Sequence, residues 1–129
     1  MEKYINDLLD ELKGEENSFI LNIRCKIEWK HDSFIKLVRI MRYYCSNREN
    51  EEKLDKNIAE GFWFVSWFIK DWTSHENFRK TNKFPDEYFN KAYEIIFDLC
   101  YWYFTQECIF ISEDTFNEEI NELEKIINI

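Results

Sequence analysis

The chain contains almost no glycine or proline. Its 129 residues include two glycines, Gly14 and Gly61, and one proline, Pro85. Because the turns between strands draw heavily on these residue types, a β-rich or α/β domain of this length would need more of them. Their scarcity, with abundant Glu, Lys, Leu and Ile, predicts helices joined by short polar links. A chain of this length is expected to form one domain with a sizeable core.

Basic residues are also too few to balance the acidic ones. Lys and Arg number 17 against 26 Asp and Glu, which gives a net charge of −9. This balance argues against binding to nucleic-acid phosphates and to anionic lipid surfaces. The N-terminus has neither a basic front nor an apolar stretch of signal-peptide length, and no apolar run is long enough to span a membrane. We therefore expect a cytoplasmic protein that attracts basic partners.

The residue sets that catalysis and metal binding require are missing. The four cysteines form no CxxC pair, and in a reducing compartment they are expected to be free thiols. Glu28 and His31 form one E-x-x-H unit, but Trp72 stands three places before His75, so the second unit of a di-iron site is absent. Two glycines cannot build a phosphate-binding loop. We expect no catalytic site, no metal and no cofactor.

Aromatic residues are what the chain has in excess, since Phe, Trp and Tyr make up 19% of it. The richest stretch is residues 61–72, GFWFVSWFIKDW, and a second cluster is residues 101–104, YWYF. Because the rings fall on several faces of each helix, these helices must meet more than one neighbour. The sequence therefore predicts an all-α, single-domain bundle of about five to six helices around a central pair of aromatic helices.

Apolar residues at helical spacing place the helices along the chain. The predicted spans are 3–13, a helix beginning after a cap at Asp32 or Ser33, about 52–72, a helix directly after Pro85, and a last helix from Ser112 or Asp114. Residues 46–53 are expected to be a link or a frayed helix end. Residues 74–84 are expected to be irregular.

One segment allows two interpretations. Residues 21–30, LNIRCKIEWK, alternate apolar and polar side chains, which is typical of a strand. A strand here would have to pair with residues 108–111 or with another chain, and a two-stranded ribbon is marginal by itself. The helical interpretation is favoured, and the short strand remains the alternative.

Two groups of residues are candidates for binding a partner. The first lies where the aromatic helix ends, and Trp is among the residues that dominate protein-binding hot spots. The second lies on the last helix, whose carboxylates repel one another and are suited to meeting Lys and Arg on a partner. The predicted partner-binding residues are Trp67, Asp71, Trp72, His75, Glu113, Asp114, Glu118, Glu119 and Glu122. The alternative is that the rings fill the core and the acids form a solvated face.

Residues 61–100 resemble helical immunity proteins of bacterial polymorphic and contact-dependent growth inhibition toxin systems. The likeness is carried mainly by FWFVSWFIKDWTSHENF and FPDEYFNKAYEIIFDL. It implies a tight complex with one cognate toxin domain, often a nuclease and therefore basic, whose active cleft is blocked. It also implies a free protein that is a monomer or weak dimer, and it transfers no catalytic residues. Two alternatives are a phage-encoded acidic inhibitor of a host nuclease, similar to an anti-CRISPR protein, and a structural or ligand-binding helical bundle.

Overall fold

Seven helices make up the secondary structure of the described residues. The structure, a computed structural model, describes residues 2–48, 53–110 and 112–128 and contains no strand within them. The helices are α1 (Glu2–Lys13), α2 (Phe19–Cys25), α3 (His31–Asn47), α4 (Lys56–Thr73), α5 (Glu76–Thr81), α6 (Asp86–Thr105) and α7 (Glu113–Ile126). The prediction of an all-α bundle is confirmed, with more helices than the five to six expected.

Four helices, α1, α3, α6 and α4, pack side by side in a closed ring around the core. The two aromatic helices, α4 and α6, are neighbours in this ring and run antiparallel. At one end the rings of Phe62 and Tyr103 stack with centroids 4.2 Å apart, and at the other end the hydroxyls of Thr73 and Tyr93 lie 2.7 Å apart. The remaining helices pack on the outside of the ring, α7 against α6, α2 against α1, α3 and α4, and α5 against α4.

The ambiguous segment folds as a short helix followed by an irregular turn. α2 is capped by Ser18, whose Oγ accepts a hydrogen bond of 3.1 Å from the backbone N–H of Leu21. The helix ends at Cys25, and Ile27 then adopts a left-handed φ of 53°. Trp29 turns back into the core, where it is 3% exposed. The helical interpretation is therefore right for residues 19–25, and the strand alternative is wrong; its proposed partner, residues 108–111, ends at a residue outside the described part.

The predicted starts of two helices are wrong. α3 begins at His31, with Lys30 at its cap position and no side-chain cap, so neither Asp32 nor Ser33 caps it. α4 begins at Lys56, not near residue 52, because the Asp55 carboxylate accepts a 3.1 Å hydrogen bond from the backbone N–H of Ile58. Of the predicted link over 46–53, residues 49–52 lie outside the described part of the chain.

The segment predicted to be irregular, residues 74–84, contains the six-residue helix α5. The helix carries a single buried side chain, Phe78, which gives no periodic pattern to detect. Arg79 fixes α5 to α6, since its guanidinium lies 3.8 Å from the ring centre of Phe89 and 3.0 Å from Asp86. The cap positions of the last two long helices are as predicted: Pro85 precedes α6, and the Ser112 hydroxyl caps α7.

A buried chain of hydrogen bonds ties α7 to the core. The indole Nε1 of Trp29 donates to the hydroxyl of Tyr88 at 2.8 Å, and this hydroxyl lies 2.8 Å from Nδ1 of His31. Nε2 of His31 lies 3.0 Å from the carboxylate of Glu124 on α7. Because an indole only donates and a carboxylate only accepts, every group is satisfied when His31 is neutral with its proton on Nε2. In this tautomer, Trp29 donates to Tyr88, Tyr88 donates to His31, and His31 donates to Glu124.

Glu11 is a buried carboxylate on α1 that we predict to lower stability at neutral pH. Burial raises its pKa, and the ammonium of Lys36, 3.6 Å away, offsets only part of this effect. One carboxylate oxygen, Oε1, has no hydrogen-bond partner among the described residues. Because the folded state holds the proton more tightly than the unfolded state, the free energy of unfolding falls as the pH rises above about 4.5.

Glu11→Gln is expected to remove this pH dependence, because the amide carries no charge to desolvate. Urea unfolding at several pH values measures it. The exposed Glu16 provides the matched control, since Glu16→Gln should leave the pH profile as in the parent chain. A Glu11→Gln profile that falls as steeply as the parent profile would show that Glu11 is not its source.

Candidate partner-binding surface

The outward side of α4 carries a row of large aromatic rings. Trp63, Trp67 and Trp72 are 59%, 42% and 37% exposed, respectively. The rings of Trp63 and Trp67 lie 5.6 Å apart, and Trp72 stacks on Phe68 at 5.5 Å. Phe64, half-buried, stacks on Phe68 at 4.6 Å and joins the two ends. We call Trp63, Phe64, Trp67, Phe68 and Trp72 the aromatic row.

The exposed rings of the row are not what holds α4 in the bundle. An apolar stripe on the same helix is buried in the bundle with Phe68, the one buried ring of the row; its other members include Ile58, Phe62, Val65 and Ile69. Exposed indoles on a helix that already has a complete buried face mark a surface suited to binding rather than folding.

The indole N–H groups of the row are not all used within the protein. Trp72 donates to the backbone carbonyl of Ile23 at 2.9 Å, which fixes its ring over the end of α2. Within the described residues, the N–H groups of Trp63 and Trp67 make no hydrogen bond. These two rings therefore offer both apolar area and a free donor to a partner.

The four predicted residues around the end of α4 line two adjacent depressions. Trp67 and Asp71 border one of about 410 Å³, together with Ser66, Lys70 and Ser74. Trp72 and His75 border another of about 260 Å³, together with Ile27, Asn77 and Phe78. These four predicted residues lie at one end of the row, and Trp63, the most exposed of the three tryptophans, was not among them.

Trp63 and Phe64 also border a larger open groove at the other end of the row. Its volume is about 550 Å³, and its other lining residues are Leu12, Lys13, Arg24, Asn57, Glu60 and Gly61. Gly61 lines this groove where α4 approaches Leu12 of α1.

The predicted acidic residues of α7 are largely paired with cations from other helices. Glu113 lies 4.0 Å from Arg42 of α3. Glu119 and Glu122 both pair with Lys91 of α6, the second at 3.2 Å. The other two predicted acids, Asp114 and Glu118, are exposed and form no ion pair within the described residues.

Lys91 is the centre of this arrangement. Partial burial alone would lower its pKa, but hydrogen bonds to Glu119 and Glu122 outweigh that effect and raise the pKa above its usual value. Lys91 therefore stays charged and neutralises part of the negative face of α7. α6 contacts both α4, the helix that carries the aromatic row, and α7.

The described residues show no arrangement suited to catalysis on a metal. They contain no group of three His, Cys, Asp or Glu side chains placed to hold a metal ion. Both ring nitrogens of His31 are occupied by Tyr88 and Glu124. Burial raises the pKa of the Cys45 thiol to about 12 and also raises that of Cys100, so neither thiol ionises readily. No helix in the described ranges combines the length and apolar character needed to cross a membrane.

Comparison with known proteins gives no matching family model, no similar curated protein and no similar solved structure.

Proposed function

We propose that this chain is an immunity protein, which binds a cognate toxin domain and blocks its active site. The observation that carries the proposal is the aromatic row, in which Trp63 and Trp67 are exposed and, in the part of the chain that the structure describes, their N–H groups have no partner. Tryptophan provides a large rigid contact area together with one polar handle, and it is among the residues most enriched in binding hot spots.

The charge of the chain supports a basic partner. A net charge of −9 accelerates encounter with a positively charged protein and disfavours phosphates as ligands. A nuclease cleft is such a partner, because it holds nucleic-acid phosphates with cations. Asp71, Asp114 and Glu118 are exposed carboxylates available for steering. The resemblance of residues 61–100 to helical immunity proteins supports the same proposal.

A ligand-binding bundle is the second candidate, favoured by the groove beside Trp63. Its volume of about 550 Å³ lies within the usual range for small-molecule sites, but it is open to solvent along one side. Recovery of a bound small molecule that Trp63→Ala releases would favour this candidate.

The test uses the toxin domain encoded beside the gene for this chain. Titration calorimetry should show a one-to-one complex. Trp63→Ala and Trp67→Ala should each weaken binding about tenfold or more, which corresponds to about 1.4 kcal/mol per tenfold change. Both variants should also lose protection of growing cells against the toxin.

Tyr43→Ala is the control, because Tyr43 is a similarly exposed ring on α3, away from the row. It should bind as the parent chain does. A toxin domain that does not bind, or that binds the two tryptophan variants as tightly as the parent chain, would contradict the proposal.

A further inference from the structure

The outer side of α6 carries a second set of exposed rings. Phe97, Tyr101 and Phe104 are 63%, 40% and 42% exposed. They recur four and three residues apart, so they lie on one face of the helix. Phe97 has no polar atom and is exposed more than any ring of the aromatic row. We call these three residues the α6 stripe.

Negative charge is concentrated beside the N-terminal end of this stripe. Among the described residues, the Lys91 ammonium is the cation within pairing distance of Glu94, Glu119 and Glu122. Asp98 lies next to the same group; its pKa is raised by burial and by the nearby carboxylates of Glu94 and Glu119. In the described part of the chain, four carboxylates thus lie near the Lys91 ammonium, and three of them pair with it. We call Glu94, Asp98, Glu119 and Glu122 the acidic cluster.

We propose that the outer face of α6 docks a basic amphipathic segment of a partner protein, with apolar side chains on the α6 stripe and Lys or Arg on the acidic cluster. Charge complementarity selects this occupant. A second copy of the chain would bring another net charge of −9, and an anionic lipid surface would be repelled in the same way. This proposal rests on the proposed function, because the basic segment would belong to the toxin domain that the chain binds.

The length of the face sets the length of the segment. Glu94 and Phe104 are ten residues apart on one helix, or on the order of 15 Å at 1.5 Å per residue. About three turns of helix cover this distance. An amphipathic helix laid along a groove or face is a common mode of peptide recognition.

The probe is a synthetic amphipathic helix of about three to four turns composed of Leu and Lys, titrated into the ¹⁵N-labelled full chain. We expect the backbone amides of residues 94–104 and of the facing side of α7 to shift most. Phe97→Ala and Glu94→Lys should each weaken peptide binding about fivefold or more. Trp67→Ala should leave it unchanged, because Trp67 lies on α4.

Glu16→Lys is the matched charge control, since Glu16 is an exposed residue between α1 and α2. It should weaken binding less than twofold. Equal weakening by Glu16→Lys and Glu94→Lys would mean general charge attraction and would overturn the proposal, as would absence of peptide binding or shifts centred on α4. Self-association of the parent chain that Phe97→Ala abolishes would assign the face to a second copy instead.

This experiment needs no toxin, so its result is separable from that of the proposed function. Failure of the peptide to bind leaves a toxin complex through the aromatic row standing. Loss of the toxin complex with retained peptide binding contradicts only the proposed function. The unfolding midpoint of Phe97→Ala should match that of the parent chain, which excludes misfolding as the cause of weaker binding.

Discussion

Replacement of Tyr88 by phenylalanine is expected to destabilise the fold by about 2–4 kcal/mol. The ring of Tyr88 is fully buried, and its hydroxyl is the middle member of the hydrogen-bond chain from Trp29 to Glu124. Removal of that oxygen leaves the indole N–H of Trp29 and Nδ1 of His31 without partners. Each unsatisfied buried group costs about 1–3 kcal/mol. The phenylalanine ring still fills the space of the tyrosine ring, so no large cavity adds to this cost.

Urea unfolding measures this effect, and α6 itself supplies the control. Tyr101 is on the same helix, but its hydroxyl is exposed and donates to Glu107 over 3.3 Å. Tyr101→Phe should therefore change stability by less than about 0.5 kcal/mol. If Tyr88→Phe unfolds at the same urea concentration as Tyr101→Phe, the buried chain of hydrogen bonds does not hold α7 to the core as described.

Replacement of Gly61 by alanine should destabilise the fold by up to about 2 kcal/mol, although alanine is the better helix former. A Cβ at this position would lie 2.6 Å from Cβ and 2.7 Å from Cδ1 of Leu12. Cβ is fixed to the backbone of α1, so relief requires α1 to move away from α4. Overpacking of this kind costs about 1–3 kcal/mol, and the gain of about 1 kcal/mol in helix propensity offsets only part of it.

The clash predicts a specific coupling between positions 61 and 12. Leu12→Ala alone leaves a cavity, but in the Gly61→Ala background it also removes the overlap with Cδ1 and Cγ of Leu12, so that only the overlap with Cβ remains. The double variant should therefore be more stable than the sum of the two single changes by about 1 kcal/mol or more. Strict additivity, or a Gly61→Ala variant more stable than the parent chain, would show that α1 does not approach α4 at this glycine.

The fold class could be predicted from the sequence because each long helix carries its own periodic apolar stripe. α5 was not readable, since Phe78 is its only buried side chain. The alternation over residues 21–30 was misleading for a different reason. Trp29 is buried because its backbone N–H donates to Asn82 over 2.8 Å, and Asn82 in turn donates to the carbonyl of Ile27. This contact joins positions more than fifty residues apart, and no local pattern reports it.

Only part of the candidate surface could be predicted from the sequence. The excess of tryptophan predicted exposed rings, and Trp67 and Trp72 do lie on the surface. The exposure of Trp63 and Phe97 depends on which side of α4 and of α6 faces the core of the four-helix bundle. Tertiary packing decides this. The negative charge of the last helix could be predicted from the sequence. The cations that pair with its carboxylates could not, because Lys91 and Arg42 come from α6 and α3.

The indole N–H signals in a ¹H–¹⁵N spectrum of the free and toxin-saturated chain test the partner-binding surface most directly. We predict that the signals of Trp63 and Trp67 shift and become protected from solvent exchange, while that of Trp29, buried and bonded to Tyr88, stays in place. Saturation with toxin that leaves the Trp63 and Trp67 signals unchanged would contradict it.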